Sequence, residues 1–225
     1  MGPLDGILVA DFSRVLAGPL AAMLLGDLGA DVVKVERPDG GDETRRWSPP
    51  TWGEDGVLFL SANAGKRSLA IDLTRAEGLE ALLALAARAE VVVQSLRPGV
   101  AEQRGLGYAA LRERNPRLVY CSISGYGHSG PLAERAGYDP LLQGETGIMS
   151  VTGEADGPAV RVGVSLIDQG TGVWAALAIL AALHEGVGRE LDLSLFETGV
   201  SLMPYHVMAY LATGRAHGRH GPPSR

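Results

Sequence analysis

A chain of 225 residues, 46% hydrophobic and 20% charged, has ample material for a buried core and is not disordered over most of its length. A net charge of −6, with 20 scattered Lys and Arg, excludes a general nucleic-acid surface but leaves room for a local arginine cluster that binds an anionic small ligand. Cys121 is the single cysteine, which rules out an internal disulfide and offers no metal-ligand spacing, so a reducing, cytoplasmic setting is expected. The longest apolar run, Val173 to Leu183, is too short to cross a bilayer at about 20 residues and reads as a buried helix. Asp5 and Asp11, with no basic start, precede the apolar stretch Val15 to Leu25, which therefore does not read as a signal peptide; no membrane partner is expected.

Ile7 to Ala10 is a short apolar run closed by Asp11. Gly18-Pro19 follows, and then Leu20, Met23, Leu24 and Leu28 at helical spacing up to Gly29. Asp31 to Glu36 is a β-branched run that completes a βαβ unit. Asp39 to Gly56, rich in Gly, Pro and charge and carrying Trp47 and Trp52, reads as a long functional loop. Ser68 to Leu73 reads as a strand, and Thr74 to Ala89 as a helix opened by a capping box of Thr74 and Glu77. Val91 to Val93 is a third buried strand, Tyr108 to Glu113 a helix and Leu118 to Ser122 a fourth strand.

Gly125 to Gly163 holds nine glycines and predicts irregular structure. A helix from Thr171 to Glu185, a strand from Glu190 to Leu195 and one long helix from Phe196 to Leu211 follow, then a basic Gly- and Pro-rich tail, Gly214 to Arg225. Alternating strands and helices argue an α/β fold, a Rossmann-like doubly wound and largely parallel sheet whose ligands sit at the carboxyl ends of the strands. The fold is expected to be incomplete, since the chain reads as stopping mid-architecture, and the length fits about one domain and a half.

A dinucleotide-binding reading fails at the first turn: FSRVLAGP between Asp11 and Leu20 has one glycine where the fingerprint needs three. Arg37, Arg45, Arg46, Lys66 and Arg67 lie in or beside the loops after strands and could grip phosphates; each taken alone is equally a solubilising surface charge. Asp139 in GYDPLLQ and Asp168 in VSLIDQGTG stand in glycine-rich contexts. Asp168 ends an apolar run before Gly170 and Gly172, which leaves its carboxylate accessible as a covalent nucleophile; the plainer alternative is that it N-caps a helix beginning near Thr171. His184 and His206, on apolar helices, read as partly buried packing residues. Ser13, Ser122 and Ser124 have no elbow motif and no adjacent histidine, so serine hydrolase chemistry is unsupported.

The segments PLDGILVADFSRVLAGPLAAMLLGDLGADVVKVERPDGGDETR, NAGKRSLAIDL, RPGV, NPRLVYCSISGYGHSGP, RAGYDPLLQGETGIMSVTGEADGP, RVGVSLIDQGTGVWAALAILAAL and GRELDLSLFETG together resemble the class III CoA-transferases, a family that includes formyl-CoA transferase, carnitine CoA-transferases and α-methylacyl-CoA racemases. The resemblance runs in consistent order from Pro3 to about Gly221. It implies that Asp168 attacks a donor acyl-CoA thioester to form an acyl-aspartyl anhydride. Such a carboxylate, ionised at neutral pH, needs no general base, and Asp139 supports it by hydrogen bonding.

The resemblance further implies CoA or acyl-CoA as substrate, with a small carboxylic acid as acceptor, and assigns CoA contacts to Arg14, Leu16, Arg37, Ile71, Ser95, Leu96, Gln103, Arg104, Ala136 and Tyr138. Ser95 and Gln103 stand where the family often has Asn and Arg, with Arg104 adjacent as a substitute. Leu16 replaces the Gln of formyl-CoA transferase, which argues against formyl or oxalyl specificity. Tyr138 replaces the His that the racemases pair with the aspartate, which favours transfer over racemisation.

Family members are much longer chains that form interlocked homodimers. Residues 1–195 are thus expected to be the N-terminal part of a large CoA-binding α/β domain, and 196–225 a linker helix and the start of a small domain. The rival readings are a racemase and a non-catalytic CoA-binding subunit that docks on a second subunit.

Overall fold

The computed structural model describes residues 2–219. Six strands form one sheet: β1 (Leu8–Phe12), β2 (Asp31–Glu36), β5 (Arg67–Ala70), β6 (Val91–Gln94), β7 (Val119–Ser124) and β8 (Arg189–Ser194). Their order is β5-β2-β1-β6-β7-β8 and every pairing is parallel. Taken by rank in the chain this is 3-2-1-4-5-6, the doubly wound order, in which the direction of winding reverses between β1 and β6. All six carboxyl ends therefore lie along one edge. The remaining strands, β3 (Thr51–Trp52) and β4 (Asp55–Gly56), make a small hairpin after β2.

Parallel strands covered on both faces need continuous apolar runs, and Val91, Val92 and Val93 in β6 are completely buried. One core lies between the sheet and helices α1 (Ala17–Asp27) and α7 (Leu166–Glu185), around Val9, Leu25, Val93, Cys121, Ile167 and Ile179. The other lies between the opposite face and helices α3 (Ala76–Arg88), α4 (Val100–Gln103) and α5 (Tyr108–Arg114), around Ala10, Leu82, Val92, Leu111 and Tyr120. Burial pushes the Cys121 thiol up to about 12, which makes it an inert packing group.

Several expectations from the sequence are corrected. Thr74 does not cap α3: its hydroxyl and amide both donate to Asp72 Oδ1, and the helix begins beyond Arg75. Within Asp39 to Gly56 a short 3₁₀ helix, Glu43–Arg46, is capped by Asp42, and α2 (Val57–Asn63) follows directly. The glycine-rich stretch holds α6 (Asp139–Glu145), because Pro140 presets the first turn and the leucines at 141 and 142 follow.

The expected helix 196–211 is two, α8 (Leu195–Ser201) and α9 (Pro204–Thr213), since Pro204 cannot continue the first. The basic tail is seen only as far as Arg219; the rest of it lies outside the described residues.

Helix α7 starts at Leu166 with Ser165 as its N-cap, five residues before the expected start, and runs for 20 residues. By length and composition it could cross a membrane, and it is the one such helix among the described residues. Here it packs one face on α1 and the sheet, while Val173, Trp174 and Leu177 are exposed, so it is not buried all round as the sequence suggested. His184 is exposed as well, and His206 is half-buried.

Glycines set the closest approach of these helices. A Cβ on Gly172 would stand 2.8 Å from the Ala17 carbonyl oxygen and 3.1 Å from Leu20. Helix propensity alone favours alanine over glycine by about 1 kcal/mol. The expected result of Gly172→Ala is nevertheless a loss of about 1–3 kcal/mol in chemical denaturation, because a backbone oxygen must move. Gly144→Ala in α6, whose nearest atom would be the Met149 sulfur at 3.6 Å, should instead hold or gain stability.

Candidate active site

The loops that leave the carboxyl ends carry most of the residues singled out in the sequence. Arg14 and Leu16 follow β1, Arg37 follows β2, Ile71 follows β5, and Ser95 and Leu96 follow β6. The winding reversal lies between the loops after β1 and β6, and there the Arg14 amide donates to Ser95 Oγ at 2.8 Å. The Leu96 amide donates to Gln94 Oε1, while Leu16 and Ile71 are buried. The Arg37 side chain is exposed and donates to the Gly41 carbonyl. Gln103 and Arg104, at the end of α4, are exposed, as are Ala136 and Tyr138 in the segment entering α6.

Other cations expected to meet phosphate are already engaged. Arg45 forms a bidentate pair with Glu36, reaches Asp55 and lies over the Phe59 ring. Burial would raise the Glu36 carboxyl, but the Arg45 and Asp42 N–H donors overcome it and hold Glu36 at about 2. Lys66 is inside the protein, donating to Asp11 Oδ2, the Pro19 carbonyl and Asn63 Oδ1, and Arg67 pairs with Asp31. Arg46 remains mostly exposed beside Asp39. Unlike its neighbours, Arg37 has no carboxylate partner among the described residues.

The second half of the site is a corner between β7, α6 and α7. The chain crosses itself where Gly125, just after β7, touches Gly137: a Cβ on Gly125 would lie 2.8 Å from the Gly137 amide nitrogen. This crossing places Tyr138 and Asp139 at the strand end. Tyr126, stacked under Arg135, donates to Glu145, and Arg135 also pairs with Glu145, which clasps the loop.

Asp139 is only 2% exposed, and its carboxylate accepts from Ile167 N at 2.7 Å, Asp168 N at 3.2 Å and Gln143 Nε2 at 2.6 Å. Two of those donors are the orphan amides of the first turn of α7, so Asp139 caps that helix from a different element. Gln143 ties the same corner to the segment entering α7 by accepting from Val162 N.

Asp168 is the third residue of α7 and does not cap it. Its neighbouring glycines serve packing more than access: Gly170 lies against Thr198, and Gly172 against α1. No group among the described residues donates to the Asp168 carboxylate. Burial, reinforced by the Asp139 charge, pushes it up to about 7, although the helix N-terminus would favour the anion. Against the expectation of a carboxylate ionised at neutral pH, these surroundings lift the Asp168 carboxyl from the usual acidic range toward neutral. Gly172 is one turn along α7 from Asp168, on the same face, and its contact with Ala17 joins this corner to the loop after β1.

Sequence reasoning missed the ion cluster below that loop. Lys34 Nζ reaches Asp42 Oδ2 at 3.0 Å and the Ser13 carbonyl at 2.8 Å, while Lys66 reaches Asp11 at 2.9 Å, all with side chains at most 3% exposed. Burial raises Asp11, but Lys66 and Lys34 outweigh it and hold its carboxyl below the usual range. At Lys66 burial prevails and lowers the ammonium. The only sequence signal was a lysine within an otherwise apolar parallel strand.

Comparison with known proteins agrees with this architecture. The family model described as CoA-transferase family III matches residues 4–225. The human succinyl-CoA:glutarate CoA-transferase is 41% identical over 96% of this chain and 52% of its own length, and the succinate–glutarate CoA-transferase of Agrobacterium fabrum is 43% identical over 95% and 56%. A crystal structure of a CAIB/BAIF family protein from Brucella suis superposes with a TM-score of 0.95 at 42% identity, covering 99% of this chain and 61% of that one. The chain spans about half the length of the curated relatives it matches. With a family model that matches nearly every residue, the chain belongs to CoA-transferase family III.

Proposed function

We propose that the protein transfers CoA from an acyl-CoA to a small carboxylic acid, with Asp168 as nucleophile. The observation that carries this reading is the Asp168 carboxylate itself, to which no donor among the described residues is committed, on a helix turn anchored by Asp139. One carboxylate oxygen attacks the thioester carbon, the C–S bond breaks, and CoA leaves as thiolate with the bonding pair. The acceptor carboxylate attacks the aspartyl carbonyl of the anhydride and the donor acid departs as its carboxylate. The thiolate then attacks the acceptor's acyl carbon and frees Asp168. No net proton moves, so neither a metal nor a histidine base is required by the scheme.

In this reading the carboxyl-end loops hold the CoA, with Arg14 and Arg37 near its phosphates and Leu16, Ile71, Ser95, Leu96, Gln103, Arg104, Ala136 and Tyr138 around the rest. Residues 1–195 are then the N-terminal part of the CoA-binding domain and 196–225 the linker and the start of a small domain, with α8 still packed on α7 through Thr198 and Thr171. Tyr138 stands immediately before Asp139 at the N-cap of α6, where a racemase would need a second proton carrier, and this favours transfer. Exposed apolar side chains on α7 and α9, among them Trp174, Leu177, Tyr205, Met208 and Leu211, support assembly with a second copy.

Asp168→Asn in the whole protein should lower CoA exchange by about a thousandfold or more while CoA itself still binds. Borohydride added with acyl-CoA should reduce an acyl-aspartyl group and mark Asp168 in peptide mass analysis; undiminished exchange by the variant would contradict the assignment.

The acid form of Asp168 is unreactive and dominates below its pKa, so the nucleophilic step should speed up as pH rises through about 7. Asp139→Asn removes a neighbouring negative charge, which lowers the Asp168 pKa and moves that limb to lower pH. Single-turnover acylation rates between pH 5 and 9 check both directions.

A further inference from the structure

The loop Ser13–Leu16 carries a conformation that its sequence does not favour. Val15 has φ +69°, and it is the one non-glycine residue with positive φ among the described residues. A β-branched side chain in the left-handed region is strained, so the surroundings must over-determine it. Hydrogen bonds to the loop backbone, one local and the others from distant elements, do so residue by residue. Ser13 N donates to Asp11, and the Ser13 carbonyl accepts from Lys34 Nζ. Arg14 N donates to Ser95 Oγ and Val15 N to Asp42 Oδ2 at 3.3 Å. Asp42 is in turn held by Lys34 and by the amide and hydroxyl of Thr44.

Two lysines and two aspartates buried to this degree are costly to desolvate, and an apolar core could replace them without loss of stability. Their arrangement makes sense when the loop they grip has to be held in one place. Leu16, the residue after Val15, is the N-cap of α1, and Ala17 touches Gly172 one turn from Asp168. We propose that Lys34 and Asp42 are positioning residues: they hold Val15 left-handed and so set Arg14, Leu16 and the start of α1 against the acyl-CoA beside Asp168. This rests on the CoA-transfer reading above.

The test is a suppressor experiment in the whole protein. Asp42→Ala lets Val15 relax to negative φ, and the expected result is a rise in KM for acyl-CoA of about tenfold with a smaller change in kcat. Glycine adopts positive φ without strain, so adding Val15→Gly to Asp42→Ala should recover most of that KM. A merely structural role for Asp42 predicts a lower melting temperature, an unchanged KM in the folded variant and no recovery; that pattern overturns the proposal.

Should Asp42→Ala fail to fold, Asp42→Asn, of the same size and still able to accept from Thr44, carries the same criterion. The unsubstituted protein supplies a reading that needs no variant: the Val15 amide should be protected from hydrogen exchange, and rapid exchange there also overturns the proposal. Absence of CoA exchange by the unsubstituted protein would defeat the functional reading, whereas normal exchange with an unchanged KM in the Asp42 variants defeats only the positioning.

Discussion

The acceptance of the Ile167 and Asp168 amides by the buried carboxylate of Asp139 is the constraint on which the site depends. Hydrogen bonds to a charged partner contribute about 1.5–3 kcal/mol each, enough to fix the start of α7 against the end of β7. The same contact has an electrostatic consequence. Asp139 sits next to Asp168 as a negative charge in a poorly solvated corner, and two carboxylates there cannot both ionise as they would in water. Asp139 fixes the position of Asp168, and burial, with the Asp139 charge second, raises its carboxyl.

The rest of the architecture converges on that corner. A parallel sheet wound in both directions brings six carboxyl ends to one edge, and the reversal between β1 and β6 opens the crevice where Arg14 meets Ser95. Gly172 lets α7 approach α1 closely enough to join the loop after β1 to the Asp168 turn. Beneath that loop, a cluster with as many lysines as aspartates gives a rigid floor at a cost in desolvation.

The sheet was legible in the sequence because parallel strands announce themselves as short β-branched runs: Asp31 to Glu36 and Val91 to Val93 needed no tertiary information. Helix boundaries were less so. Thr74 had the spacing of a capping residue but was taken by Asp72, and Ser165 began α7 early because Asp139, distant in sequence, supplied acceptors for its amides. Helix α6 hid among glycines. Asp168 could be singled out from its place between an apolar run and two glycines, although those glycines also pack against Thr198 and α1, which no local pattern shows. The engagement of Arg45 by Glu36 and of Lys66 by Asp11 depends on which loops fold together, and no local pattern encodes that.

The central claim is that the side chain of Asp168 becomes part of the acyl carrier, and oxygen tracing tests it most directly. In a single turnover with an acceptor acid whose carboxylate is labelled with heavy oxygen, the final step leaves one acceptor oxygen on the enzyme. The account predicts one labelled oxygen in Asp168, found by mass spectrometry of its peptide. Complete turnover with no label in Asp168 would contradict it.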